Sequence, residues 1–402
     1  MGVLDGVRVV EMGLWVAGPA AGGVLADWGA EVIKIEPPKG DPMRSLFGAL
    51  SGSKETRCPP FDLYNRGKRS VAIDVNTSDG RDLAERIIAT ADVFLTNFRP
   101  GFLERVNLDH KRLREAHPHL IYASLTGYGL EGPDRDAPGF DVAAFSARGG
   151  VADRSTPPGD APTTLAGGMG DTVTGMTTVA AILAALLARG RTGEGQLVST
   201  SLLRTGAYCI GMELSTRVAL GKLAPPPSRV KPQNPLMNSY ADRDGAWFWL
   251  MGAEADRHWP GIKAAADDPR LDDERFATAR GRRKDGTELV AILDEAFARR
   301  TRAEWAEIFA EHEVWWTPVN TAADLIEDPQ AQAAGVFVDV PGADDPARSV
   351  ATPVAFESGS VPAAGPPGIG ADTDAVLAEI GVNAGEQQSL REAGVVAGPP
   401  SS

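Results

Sequence analysis

Cysteine is nearly absent: the 402-residue chain has two, Cys58 and Cys209. Two thiols cannot build a disulfide framework or a cysteine-rich zinc site, and they fit a reducing, cytoplasmic setting in which both are buried or inert. Histidine is also sparse, with five residues. His110, His258 and His312 stand alone, and His117 and His119 flank Pro118 at a helix end, so no metal-ligand spacing arises. Basic runs are missing as well. Fifty-four acidic residues against forty basic ones leave a net charge of −14, the opposite of what a nucleic-acid binder presents. Any anionic small substrate therefore needs a local basic cluster working against the field of the whole chain.

The N-terminal MGVLDGVRVVEMG lacks the basic-then-apolar pattern of a signal peptide and reads as a first strand. The longest apolar run, Thr172–Leu187, is shorter than the roughly 20 residues a bilayer needs and is interrupted by threonines and Gly175. It reads as a buried core helix, with no membrane partner expected.

What is present is an alternation of strand and helix patterns. VRVVEM, EVIKIE, SVAIDV, VFLTNF and LIYASLTGY read as strands. Helices are expected over Ala17–Trp28, Asp79–Ala91 and Phe102–His117, and this order predicts an α/β fold with a mostly parallel, Rossmann-like sheet. The proline-rich 220–238 reads as a linker. Beyond it a hairpin around Asp242–Gly245 and helices over Glu288–Phe297 and Arg302–His312 suggest a smaller α+β domain, 239–330. A return linker, 331–344, then leads to the strand-like VATPVAF and a C-terminal helix after Asp372. The expected large domain is 1–219 plus 345–402.

The first strand is followed by GLWVAGPAAGG, whose glycine spacing does not match a dinucleotide fingerprint, so no nicotinamide or flavin is expected. No G-x-S-x-G, H-E-x-x-H or P-loop occurs. The segment that stands out is AGGMGDTVTGM, Ala166–Met176. It surrounds one carboxylate, Asp171, with Gly167, Gly168 and Gly170 at the start of the apolar helix. Glycines there give a bulky substrate access, and their N–H groups can stabilise an oxyanion. A helix N-terminus favours the ionised, nucleophilic carboxylate. The same position equally suits a plain N-cap aspartate, and local sequence leaves both open.

Several longer segments bear on that choice. LDGVRVVEMGLWVAGPAAGGVLADWGAEVIKIEPPKGDPMR, NRGKRSVAIDV, NFRPG, SLTGYGLEGP, GGMGDTVTGM, LLARGRTGEGQLV and GIGADTDAVLAEIG occur in that order. Together they resemble the class III (CaiB/BaiF-like) CoA-transferases over nearly the whole chain. The resemblance implies a Rossmann-like large domain, a small domain and an interlocked homodimer. It implies that Asp171 is the catalytic carboxylate, acting through anhydride and aspartyl-CoA intermediates, with acyl-CoA and a carboxylic acid as substrates and no metal. It places coenzyme A against Val16, Ala17, Arg44, Lys68, Arg69, Asn97, Phe98 and Arg105. The related α-methylacyl-CoA racemases carry a histidine in a G-H-D segment; here the matching segment is PGFD, with Phe140 in its place, and phenylalanine cannot move a proton. Trp15 and Phe140 are candidate substrate-pocket residues. A non-catalytic acyl-CoA binder is the third alternative.

Overall fold

The computed structural model describes residues 2–46, 58–226, 228–341, 347–358, 361 and 363–399. Six strands run parallel in one sheet: β1 (Arg8–Met12), β2 (Glu31–Glu36), β3 (Arg69–Ile73), β4 (Val93–Thr96), β5 (Ile121–Thr126) and β6 (Leu197–Ser201). Three short strands, β7 (Ser239–Ala241), β8 (Trp247–Leu250) and β9 (Trp316–Pro318), form a separate antiparallel sheet. A ribbon pairs β10 (Phe337–Val340) with β11 (Ala347–Val350), and β12 (Val396–Ala397) adds antiparallel to β3.

The large sheet has the order β12-β3-β2-β1-β4-β5-β6. The chain builds outward from β1 to one side, then restarts at β4 and builds to the other. Loops leaving the carboxyl ends of β1 and β4 therefore diverge to opposite faces and open a crevice between them. Alternation along each strand supplies two cores. Val10, Ile33, Phe94 and Tyr122 pack with Leu83, Ile87, Val376 and Leu377 on one face. Val9, Val32, Leu95 and Ile121 pack with Leu25, Val179 and Ile182 on the other. Burial on both faces explains why these strands read as continuous apolar runs.

Local chemistry revises several sequence expectations. The helix expected over Phe102–His117 is two helices, Pro100–Arg105 and His110–Ala116. Asn107 turns left-handed between them (φ +56°) and the Asp109 carboxylate caps the second by accepting the Lys111 and Arg112 N–H groups. VATPVAF is not a strand beyond Val350, because pairing with β10 uses the four preceding residues and Pro353 has no N–H to offer. The long helix, Met169–Thr192, is not buried all round. Gly170, Thr174, Thr178, Val179, Ile182 and Ala185 form its buried stripe, while Val173 and Leu187 face outward. It is long and apolar enough to cross a membrane by length and composition alone, and a third of its most apolar window is buried. Cys58 is buried, its thiol donating to the Met43 carbonyl, but Cys209 is exposed.

By contact density the chain forms two units: Met1–Asp153, Thr163–Lys222 and Gly335–Ser402 in the first, Arg154–Pro162 and Leu223–Ala334 in the second. The short stretch Arg154–Pro162 groups with the second unit, and the chain re-enters the first at Gly335. Within the second unit Phe248, Phe297, Trp305 and Phe309 make an aromatic core, and the Trp305 indole donates to the Phe297 carbonyl. Trp247 and Trp249 alternate with Phe248 and Leu250 on β8 and lie on its exposed face.

Candidate active site

The crevice of the first unit is a cavity of about 260 Å³ at the carboxyl ends of β1, β4 and β5. Beneath its first wall lies a buried ion cluster. Lys34 on β2 reaches Glu11 of β1 (3.1 Å) and Asp41 (3.0 Å), and Lys68 reaches the other oxygen of Glu11 (2.6 Å), all with fully buried side chains. Burial alone would raise Glu11, but the two lysines outweigh it and hold the carboxyl below its ordinary range. Burial pushes Lys68 down to about 8, the attraction of Glu11 only partly offsetting it.

This cluster holds the turn between β1 and the helix α1 (Ala17–Asp27). Lys34 Nζ donates to the Gly13 carbonyl (2.7 Å), and Asp41 accepts the Trp15 N–H (3.1 Å). Asn97, after β4, clasps Leu14 from both sides, accepting its N–H and donating to its carbonyl. Trp15 is thereby kept in the left-handed region (φ +66°), a conformation that costs a non-glycine residue about 1 kcal/mol or more. The result is a rigid wall of Leu14, Trp15, Val16 and Ala17.

Asp171 forms the facing wall. It is the third residue of the long helix, whose cap position is Gly168 (φ +74°), so the N-cap alternative is excluded. No hydrogen bond reaches its carboxylate among the described residues, and its acidity is set by burial first and by the Asp141 charge second, which together push it up to about 7. The helix N-terminus was expected to favour the ionised form. Its effect of about 0.3–1 kcal/mol is outweighed, since each unit of pKa corresponds to about 1.4 kcal/mol.

Asp141 begins a π-helix, Asp141–Ala147, a form that concentrates at functional sites. Burial raises it too, opposed by the N–H groups of Gly170 and Gly168. The Gly170 N–H donates to Asp141 Oδ1 at 3.1 Å. The glycines thus differ in use from the sequence expectation. Gly168 and Gly170 direct their N–H groups to Asp141 and are not free for an oxyanion. A Cβ on Gly170 would sit 2.2 Å from Asp141 Oδ1 and 2.3 Å from the Phe145 ring, so its missing side chain serves packing rather than substrate access. Only at Gly167 would a Cβ meet open space. Gly170→Ala is accordingly expected to lower stability by about 1–3 kcal/mol and to reduce turnover, measured by urea denaturation beside steady-state rates.

Of the residues expected from sequence, Trp15, Val16, Ala17, Asn97, Phe98, Phe140 and Asp171 line this one cavity. The basic residues expected beside them do not. Lys68 is buried and its donors go to Glu11, the Pro19 carbonyl and Asn65. Arg44 is paired with Glu36, bonded to the Pro367 carbonyl and stacked over Phe61. Arg69 is taken by Glu31 and Glu379. In each case a strand of the central sheet, β1 or β2, supplies the carboxylate. Arg105 is exposed and lies over Phe102. Two charged lining residues were missed: Asp141, next to the Phe140 that drew attention, and the exposed Arg99 within NFRPG, whose guanidinium donates to the Asp136 carbonyl.

Comparison with known proteins decides the family. A model described as CoA-transferase family III matches residues 4–373. The chain belongs to CoA-transferase family III. It is 33% identical over 399 residues to the (R)-2-hydroxy-4-methylpentanoate CoA-transferase of Clostridioides difficile, covering 98% of this chain and 99% of that one. A similar 33% identity relates it to the cinnamoyl-CoA:phenyllactate CoA-transferase of Clostridium sporogenes, over 97% and 96% of the two chains. The solved structure of a CaiB/BaiF family protein from Brucella suis superposes with a TM-score of 0.84 at 31% identity, over 94% of this chain and 99% of that one. This family III chain is therefore an acyl-CoA:carboxylate CoA-transferase, with CoA as the group carried.

Proposed function

We propose that Asp171 is the nucleophile of the transfer. The observation carrying this reading is its carboxylate, aimed into the cavity at the strand switch point with no hydrogen-bond partner among the described residues. An unsolvated carboxylate is a stronger nucleophile than a solvated one, and a group with nothing to hold it is free to form a bond.

The reaction then balances in four steps. An Asp171 oxygen attacks the acyl-CoA carbonyl carbon, the C–S bond breaks, and an aspartyl anhydride and CoA thiolate result. The thiolate attacks the Asp171 carbonyl of that anhydride, releasing the donor acid and leaving an aspartyl-CoA thioester. The acceptor carboxylate attacks this thioester, expelling thiolate and forming a second anhydride. Thiolate attack on its acyl carbon releases the new acyl-CoA and restores Asp171. No proton must move, so a histidine is dispensable, and Phe140 can stand where a racemase needs one. Val16 and Ala17 border the cavity at the N-terminal turn of α1, whose first N–H groups lack intrahelical acceptors and suit a developing negative charge. Arg99 and Arg105, both exposed, are available to meet CoA phosphates where Arg44, Lys68 and Arg69 are held by carboxylates. The exposed apolar side chains of Tyr208, Met212, Val218 and Leu220 support the homodimer.

Intact-protein mass spectrometry after incubation with an acyl-CoA panel tests the reading. An added mass equal to CoA or acyl, removed by hydroxylamine and absent from Asp171→Ala, is expected. An unmodified enzyme that nevertheless turns over would sink it. The ionised carboxylate is the reactive form, so kcat/KM for the acyl-CoA should fall tenfold per pH unit below about 7 and level off above it. A limb near pH 4 in the rate profile would contradict this.

A further inference from the structure

Resting on Asp171 as the nucleophile, we propose that the acid activated in this cavity is a monocarboxylate with an apolar tail, branched or aromatic, and that dicarboxylates of equal length are rejected. The cavity walls are contributed by Leu14, Trp15, Phe98, Leu125, Phe140 and Leu202. Three charged residues line it, and two are carboxylates, Asp141 and Asp171. The third, Arg99, is exposed and spends a guanidinium N–H on the Asp136 carbonyl. Among the described residues no cation acts on either carboxylate: Asp171 feels Asp141, and Asp141 is held by backbone N–H groups.

The charge sequence of the reaction sharpens the point. When Asp171 carries CoA as a thioester it is neutral, so one incoming carboxylate meets Asp141 as the remaining like charge of the lining. A second carboxylate at the tail of the acid would have to leave water for the aromatic and aliphatic wall, with a like charge nearby and no buried cation among the described lining residues to receive it. An apolar tail gains from the same surface. Trp15 and Phe140, respectively 44% and 66% exposed, keep aromatic faces open at the rim for it to cover.

The test uses the full-length enzyme with whichever thioester charges Asp171 in the mass measurement. Acceptor kcat/KM is compared within matched pairs, valerate against glutarate and 3-phenylpropanoate against 3-(4-carboxyphenyl)propanoate. The apolar member should be preferred by roughly 10- to 100-fold in each pair. Phe140→Arg, a change at an exposed rim position, should shrink the valerate-to-glutarate ratio by about tenfold or more; thermal melting checks that this variant is folded. Glutarate used as well as valerate, or a ratio unmoved in the folded variant, overturns the inference while leaving the nucleophile intact. Failure of the nucleophile itself is recognised separately, because no adduct forms with any thioester, and the inference then falls with it.

Discussion

Replacing Asp171 by alanine is expected to cut turnover by at least about 10³-fold with every acyl-CoA and acid tested. The size follows from its proposed role. A nucleophile that carries the covalent intermediates cannot be bypassed by binding, and Asp141 cannot substitute, because two backbone N–H groups already hold its carboxylate. Steady-state rates and single-turnover adduct formation should fail together. A variant that keeps rate within tenfold would remove Asp171 from the mechanism.

The isosteric Asp171→Asn should be just as inactive and yet more stable, by on the order of 1–3 kcal/mol at pH 8. The sign follows from the raised acidity constant. Between about pH 4 and 7 the folded wild type binds a proton that the unfolded chain has given up, since Asp171 moves from 3.8 to about 7 on folding. Wild-type stability therefore declines as pH rises through that window, and the full cost of the buried charge is present above it. The asparagine gain should grow across the same window and vanish near pH 4. Urea denaturation at pH 4 and pH 8 distinguishes this from a pH-independent packing effect.

Gly22→Ala is expected to destabilise the fold by about 3–5 kcal/mol, far more than a methyl group on a surface helix would. Gly22 lies on α1, where its absent side chain makes room for the Glu11 carboxylate. A Cβ there would lie 1.9 Å from Glu11 Oε2 and 3.2 Å from Lys68 Nζ. Glu11 cannot step aside, because Lys34 and Lys68 hold its two oxygens in a fully buried cluster. Displacing it leaves Lys68 buried without a counter-charge and Lys34 with Asp41 alone, and burying an unpaired charge is among the costliest changes available. The cluster also holds the Gly13–Trp15 turn, so KM for acyl-CoA should rise in whatever fraction folds. Chemical denaturation gives the first number and initial rates the second. A loss below about 1 kcal/mol would mean that the cluster rearranges freely.

Much of this molecule is legible from its sequence. Alternating apolar runs and amphipathic stretches specify the parallel sheet, because a strand buried on both faces and a helix buried on one must carry those patterns. Glycine spacing departs from the dinucleotide fingerprint, and the glycine-flanked carboxylate at the start of an apolar helix draws attention to Asp171, but only the folded helix, with Gly168 at its cap, separates Asp171 from a plain N-cap. What sequence order cannot supply is which charges meet across strands. NRGKR and GDPMR read as ligand-facing cations, yet Lys68, Arg69 and Arg44 are claimed by Glu11, Glu31 and Glu36. Those partners lie on β1 and β2 of the same sheet, and in two of the three cases they are more than thirty residues away in sequence. The acidity of Asp171 is likewise a tertiary property. Asp141 lies twenty-nine positions before Gly170, and only the π-helix packed on the long helix brings its charge to bear on Asp171. Local pattern determines which elements form, since it acts over a few residues; pairing of charges and burial of one carboxylate depend on contacts that only the folded sheet creates.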